Sequence, residues 1–213
     1  MRQMIWWNNH KYDEAIEEFK KLDGFKNSRE KVSETHYKKA EYLLESNSYK
    51  GAVPEFEAAG KYKDAMDRVK ATKYLWAENT TLDEAVTLYE ELGDYKNSKA
   101  KLVAVKEKQN EKIAIEKISH AYALCVSDTT KMATDKKSIT VDSFGKYDLA
   151  SLMDVETIIS TLELPDSLYD EMCATNALMG RQRETYDNFD ISWSYHPDSG
   201  LDVIFKYNKN IEL

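Results

Sequence analysis

Apolar residues recur along the first half of this chain at a spacing inside the range expected of stacked helix pairs. Three segments superpose without gaps: Tyr12 to Val32, Tyr49 to Val69 and Leu82 to Leu102. The matched positions are Ala15/Ala52/Ala85, Phe19/Phe56/Tyr89, Leu22/Ala59/Leu92, Phe25/Tyr62/Tyr95, Ser28/Ala65/Ser98 and Val32/Val69/Leu102, at offsets of 37 and then 33 residues. Within each segment the first three fall at i, i+4 and i+7, one stripe of a helix. The small alanine lets a neighbouring helix approach, and the aromatic four residues on fills the space beside it. Phe19, Phe56 and Tyr89 are therefore expected in the core. Gly24, Gly60 and Gly93 stand near the end of each stripe, where a left-handed residue commonly stops a helix. A second helix is expected from around Phe25, Tyr62 and Tyr95. Each unit is then a helix pair that cannot bury its apolar face alone, so that stacking on its neighbours completes the core.

The pattern then changes. Ile115, Ile118, Tyr122 and Cys125 continue a helical stripe, and the polar stretch from Ser127 to Ser138 has no apolar period and reads as a linker. Ser138 to Asp142 alternates like a short strand. Val155, Ile158, Ile159 and Leu162 form another helical stripe, with Asp154 placed to cap it. Pro165 suits the first turn of a helix carrying Leu168, Met172, Thr175 and Met179. Phe189, Ile191, Trp193 and Tyr195 alternate, His-Pro-Asp-Ser-Gly200 supplies turn chemistry, and Leu201, Val203, Phe205 and Tyr207 alternate back. The expectation is a mainly α chain. An antiparallel helix-pair solenoid over 1–123 and a linker over 124–137 precede a small acidic α+β domain over 138–213 that ends in a β-hairpin.

Composition sharpens this. Among 213 residues there are only 7 Gly and 3 Pro, sparse punctuation that favours long helices over a turn-rich β fold. Residues 1–119 hold 22 basic and 22 acidic side chains, so the whole net charge of −8 falls on the remainder. An acidic module repels phosphate backbones and the neutral half has no basic stripe, so no nucleic-acid partner is expected. Cys125 and Cys173 lie far apart without Cys or His at metal-ligand spacing and read as two buried or half-buried thiols, although one disulfide between them is also compatible with the count. The first ten residues lack the apolar stretch of a signal peptide, and no run approaches the roughly 18 residues of a membrane span. The expectation is a cytoplasmic chain without a membrane segment, opening so directly into a repeat that a piece of a longer protein would also fit.

Tyr-x-x-Ala-x-x-x-Phe followed by Leu-Gly-x-Tyr resembles the tetratricopeptide repeat family. Tyr37 to Ala59 fits best, with Ala40, Tyr49, Ala52, Phe56 and Ala59 on the family's small and aromatic positions. The family's Trp-x-x-Leu-Gly opening and closing proline are absent, Pro54 lies inside a helix, and the period varies by four residues. The resemblance implies a concave surface that binds an extended or helical segment of another protein. Leu162 to Gln182, with Trp193 to Val203, is similar to a module that follows such repeats in uncharacterised bacterial proteins, a likeness that implies no activity.

Chemistry-bearing residues are few. Trp6, Trp7 and Trp76 fall outside the repeated stripe and, with Tyr42, are the candidate partner-binding residues, tryptophan being enriched at interfaces. His196 with Asp198 and Asp190, or Arg181 with Arg183, could be assembled into a site. But His196 stands at a turn beside a proline, where an imidazole commonly just caps the turn. His10, His36 and His120 have no second histidine four residues away, and there is no Gly-rich phosphate loop. No catalytic residue, metal ligand or cofactor is assigned. The function expected is a non-catalytic scaffold whose repeats dock a partner protein. The alternatives are a self-assembling element, possible as a homo-oligomer through the Trp-rich start, and a ligand-sensing or catalytic C-terminal module on a repeat stalk.

Overall fold

The computed structural model describes residues 2–144 and 149–209, with the side chains of residues 11–142 and 149–209. It is mainly helical with a small antiparallel sheet near the C-terminus. The chain divides into two compact units, residues 1–106 and 107–213.

In the first unit α1 (Arg2–Lys21), α2 (Ser28–Glu45), α3 (Tyr49–Ala59), α4 (Ala65–Glu78) and α5 (Leu82–Leu92) follow one another, each packed on the next, and α6 (Ser98–Leu124) begins. The second helix of each repeat starts three residues after the aromatic, at Ser28, Ala65 and Ser98, because the aromatic belongs to the turn. Thr81 caps α5 by accepting from the Glu84 amide, and Asp83 and Glu84 complement the helix dipole in its first turn. Pro54 lies inside α3, as its sequence position required.

Two small cores recur one repeat apart. Tyr37, Ala40, Ala52, Phe56 and Ala59 are buried between α2 and α3; Tyr74, Ala77, Ala85, Tyr89 and Leu92 are buried between α4 and α5. The packed pair is thus the second helix of one repeat with the first helix of the next. This corrects one expectation. Phe56 and Tyr89 are core, but Phe19 is only half-buried and Leu22 is 50% exposed, since no equivalent preceding helix covers them among the described residues.

The second unit packs the later turns of α6, with α7 (Leu149–Thr161) and α8 (Ser167–Ala174), on a five-stranded sheet. Its strands are β1 (Thr130–Met132), β2 (Ser138–Phe144), β3 (Gln182–Tyr186), β4 (Phe189–His196) and β5 (Gly200–Tyr207), in the order β1-β2-β5-β4-β3, every neighbour antiparallel. The hairpin is in place, with Phe189 opposite Tyr207 and His196 opposite Gly200. It does not stand alone: β2 pairs with β5, with Ile139 opposite Phe205. Ile139, Val141, Ile191, Trp193, Val203 and Phe205 face the helices, and the alternate residues face solvent.

Three further expectations are corrected. The polar stretch 127–138 contains strand β1, stabilised by pairing with β2 and not by an apolar alternation of its own. The helix after Pro165 ends at Ala174, so Thr175 is its C-cap and Met179 lies beyond it. Asp154 is no cap of its own helix; it sits within α7, five residues past its start, with 1% exposure. Among the described residues no helix is long and apolar enough to cross a membrane.

Candidate binding surface

In the first unit the turns that join the two helices of a repeat, α3 to α4 and α5 to α6, carry a repeated device. After Gly60 (φ 64°) and Gly93 (φ 53°) the chain makes a short turn and Lys63 and Lys96 enter the left-handed region at φ 49° and 50°. That conformation lays each ammonium over aromatic faces. Lys63 Nζ stands 5.0 Å from the Tyr37 ring and 5.4 Å from the Tyr62 ring. Lys96 Nζ stands 4.8 Å from Tyr74 and 5.4 Å from Tyr95. The tyrosine of the preceding helix meets two rings edge-on: Tyr37 against Phe56 at 5.4 Å and Tyr62 at 5.6 Å, Tyr74 against Tyr89 at 5.9 Å and Tyr95 at 6.1 Å. Its hydroxyl then donates to the residue after the lysine, Tyr37 to Asp64 Oδ1 at 2.6 Å and Tyr74 to Asn97 Oδ1 at 2.5 Å. Burial, followed by the bond to Asp64, pushes the Tyr37 phenol up to about 12, while that same bond first of all holds the Asp64 carboxyl down.

A salt bridge completes each copy. Glu41, four residues after Tyr37, meets Arg68 at 3.5 Å; Glu78, four residues after Tyr74, meets Lys101 at 3.1 Å. Both tyrosine helices therefore present Tyr-x-x-Ala-Glu, as Tyr37 to Glu41 and Tyr74 to Glu78. Sequence reasoning recognised the aromatics but missed the polar half of this device. The signal was present in the same alignment, as Lys26-Asn27-Ser28, Lys63-Asp64-Ala65 and Lys96-Asn97-Ser98.

A second polar cluster ties α1, α2 and α3 together. Lys39 is 8% exposed and pairs with Asp13 and Glu55, each at 2.6 Å, and His36 Nδ1 meets Glu55 Oε2 at 2.6 Å. Burial alone would raise Glu55, but its hydrogen bonds with His36 and Lys39 outweigh that and hold it below the ordinary carboxyl value.

Of the expected partner-binding residues, Trp76 is half-buried and touches both small cores. Its remaining surface lines an open hollow of about 460 Å³ with Asn47, Ser48, Tyr49, Lys50 and Asn79. Lys50 Nζ lies 5.9 Å from its ring centre. Tyr42 lines no part of this hollow; it is half-buried on α2 with its ring 6.2 Å from Tyr12 of α1. Trp6 and Trp7 belong to α1, but their side chains lie outside the described residues.

In the second unit the polar residues weighed for chemistry are engaged locally. His196 Nδ1 accepts from the Asp198 amide at 3.2 Å, a turn cap. Asp190 accepts from Thr185 at 2.8 Å and Asn208 at 2.9 Å, and Arg181 donates to Ser192 at 2.9 Å. Burial, reinforced by Asp154, pushes the Cys125 thiol up to about 12, which suppresses its thiolate. Among the described residues no group of three or more His, Cys, Asp or Glu side chains could hold a metal ion. Compared with family models, with curated proteins and with solved structures, the chain has no match in any of the three.

Proposed function

We propose that this chain is a non-catalytic interaction module whose first unit is a solenoid of tetratricopeptide type that docks a segment of a partner protein. The observation that supports this most directly is the hollow beside Trp76. An aromatic floor touching two successive cores is flanked by two asparagine amides and a lysine, and stands open on the surface. Amides at Asn47 and Asn79 suit the main chain of an extended segment, and the half-exposed indole offers the kind of rigid apolar anchor that dominates docking energetics. The recurrence of the tyrosine device at matched positions supports the repeat reading, because each helix pair meets the next through the same contacts. The acidic second unit serves in this reading as a companion domain to the repeats.

The test is capture from native lysate with the full chain, compared with Lys50→Glu and Asn79→Asp. Both residues are solvent-facing, and because Asn79 also donates to the Leu75 carbonyl at 2.8 Å, a thermal melt of each variant accompanies the capture. A protein retained by the parent chain and lost by both variants is the result expected. Equal retention by all three moves the docking surface away from the hollow.

A further inference from the structure

We propose that the turn Phe25–Lys26–Asn27 is a third copy of the tyrosine socket, left uncovered among the described residues, and that it docks a helix of a partner protein carrying Tyr-x-x-Ala-Glu on one face. The hollow beside Trp76 shares no residue with it, so either proposal can fail alone.

The two filled sockets define what a socket contains, and the first repeat has each part in register. Phe19 stands where Phe56 and Tyr89 stand, and Phe25 where Tyr62 and Tyr95 stand. Lys26 takes the same left-handed conformation, φ 56°, and already lies 5.4 Å from the Phe25 ring centre. Asn27 occupies the place of the two hydroxyl acceptors, Asp64 and Asn97, and Lys31 that of the two salt-bridging cations, Arg68 and Lys101. The socket is built before anything fills it.

What differs is cover. Phe25 is 65% exposed and Leu22 50% exposed, whereas Ala59 and Leu92 at the Leu22 position are 1% and 8% exposed. Phe19, Gly24, Ser28, Arg29 and Val32 line an adjoining hollow of about 250 Å³. Lys31 pairs with Glu34 on its own helix, at 2.6 Å, where the corresponding Lys101 reaches a glutamate of the tyrosine helix.

Charge decides the occupant. In both filled copies a cation three residues into the helix after the turn takes the glutamate four residues beyond the tyrosine. Lys31 offers the same charge in the third copy, with Lys26 and Arg29 beside it. A helix bearing tyrosine, a small residue three positions on and glutamate next meets Phe19, Phe25, Asn27 and Lys31 together. An apolar helix without the phenol or the glutamate offers Asn27 no donor and Lys31 no exchange for Glu34, which gives the site its selectivity.

The natural occupant of a filled socket supplies the probe. A fluorescent, helix-stapled peptide of residues 29–46, which contains Tyr37, Ala40 and Glu41, is titrated against the full chain by anisotropy. Saturable binding is expected, weakened about tenfold or more by Phe25→Asp or Asn27→Ala in the protein and by Tyr37→Ala or Glu41→Lys in the peptide. Phe25 and Asn27 are exposed, so these protein variants keep the fold. Absence of binding up to about 1 mM peptide overturns the proposal. Binding indifferent to Phe25→Asp also overturns it, because the peptide is then exchanging into a filled socket. A concentration-dependent dimer of the full chain that Phe25→Asp abolishes overturns the choice of occupant, which is then a second copy.

Discussion

The Tyr37 hydroxyl donates to Asp64 Oδ1 at 2.6 Å, joining α2 to the turn that precedes α4 across 27 residues of chain. Tyr74 and Asn97 repeat the bond with a neutral acceptor at 2.5 Å. A bond to an ionised acceptor is the stronger kind, so Tyr37→Phe is expected to destabilise the chain more than Tyr74→Phe, whose neutral bond contributes about 1 kcal/mol. The double variant Tyr37→Phe with Asp64→Ala should cost little more than either single change, since both remove one interaction. Urea denaturation of the parent chain and the four variants checks this. Additive losses would mean the two residues act separately.

Gly60 and Gly93 end their helices at φ 64°, ψ −119° and φ 53°, ψ −115°, a region that only glycine occupies without strain. Nothing lies within 4 Å of a Cβ placed at either position, so alanine there meets no clash and the cost is the backbone's alone. Gly60→Ala and Gly93→Ala are each expected to destabilise by about 1–3 kcal/mol, and thermal melts read the loss. A D-alanine introduced at Gly60 by chemical ligation should restore stability, because its own preferred region is the mirror image.

How much of this the sequence carried depends on what each residue needs to be recognised. Ala52, Phe56, Ala85 and Tyr89 were legible as core because an apolar residue at helical spacing is buried whatever its partner. Phe19 has the same spacing, yet its burial depends on a neighbouring helix that a single-segment pattern cannot supply. The sockets were half legible: the aromatics repeat visibly, while the role of Lys63 and Lys96 depends on a positive φ that no propensity favours in lysine. Strands β1 and β3 were missed because edge strands bear polar residues, here Lys131, Arg183 and Glu184, which give no apolar alternation. Asp154 preceded an apolar stripe and so looked like a cap; its true partners come from a loop 24 to 28 residues earlier. Trp76 was singled out for lying off the repeated stripe, and that position is why it touches two cores instead of one.

The Lys39–Glu55–His36 cluster gives stability a pH dependence whose sign is fixed. Glu55 titrates below its ordinary 4.5 in the folded chain, so its contribution is complete above that value and is lost as pH falls through the folded one. For Lys39, burial lowers the ammonium's value, but Asp13 and Glu55 more than offset it, so its contribution holds below the ordinary 10.5 and fades only as pH rises through the higher folded value. The stability contributed by Glu55 and Lys39 is therefore flat across neutral pH and falls in acid. Glu55→Gln is expected to lower stability at pH 7 and to flatten the acid limb below about pH 4.5, read as urea midpoints across a pH series. An acid limb as steep as that of the parent chain would place the acid-sensitive groups elsewhere.

Asp154 is a buried carboxylate of the second unit with three donors on it. It is 1% exposed, and its two carboxylate oxygens accept from the Val126 amide at 2.7 Å, the Ser127 amide at 3.1 Å and the Thr130 hydroxyl at 2.5 Å. The stretch from Val126 to Thr130 thus has three donors satisfied by a side chain from α7, those of Ser127 and Thr130 in buried bonds. Removing the carboxylate leaves all three donors without that partner, and each unsatisfied buried donor costs about 1–3 kcal/mol. Asp154→Ala is expected to destabilise the second unit by several kcal/mol. Asp154→Asn should be only a partial rescue, because an amide offers one acceptor oxygen and turns its NH2 toward a donor. Cys125 reports the loop directly. Its thiol donates to the Ala121 carbonyl at 3.3 Å and is pushed up to about 12, whereas Cys173 is exposed. At pH 8 a maleimide should label Cys173 first in the parent chain and leave Cys125 slow. In Asp154→Ala, Cys125 should label at least about tenfold faster, because the loop opens and the carboxylate that held the thiolate down is gone. Unchanged Cys125 labelling in that variant would show that the loop is held by its strand pairing with β2 and not by Asp154.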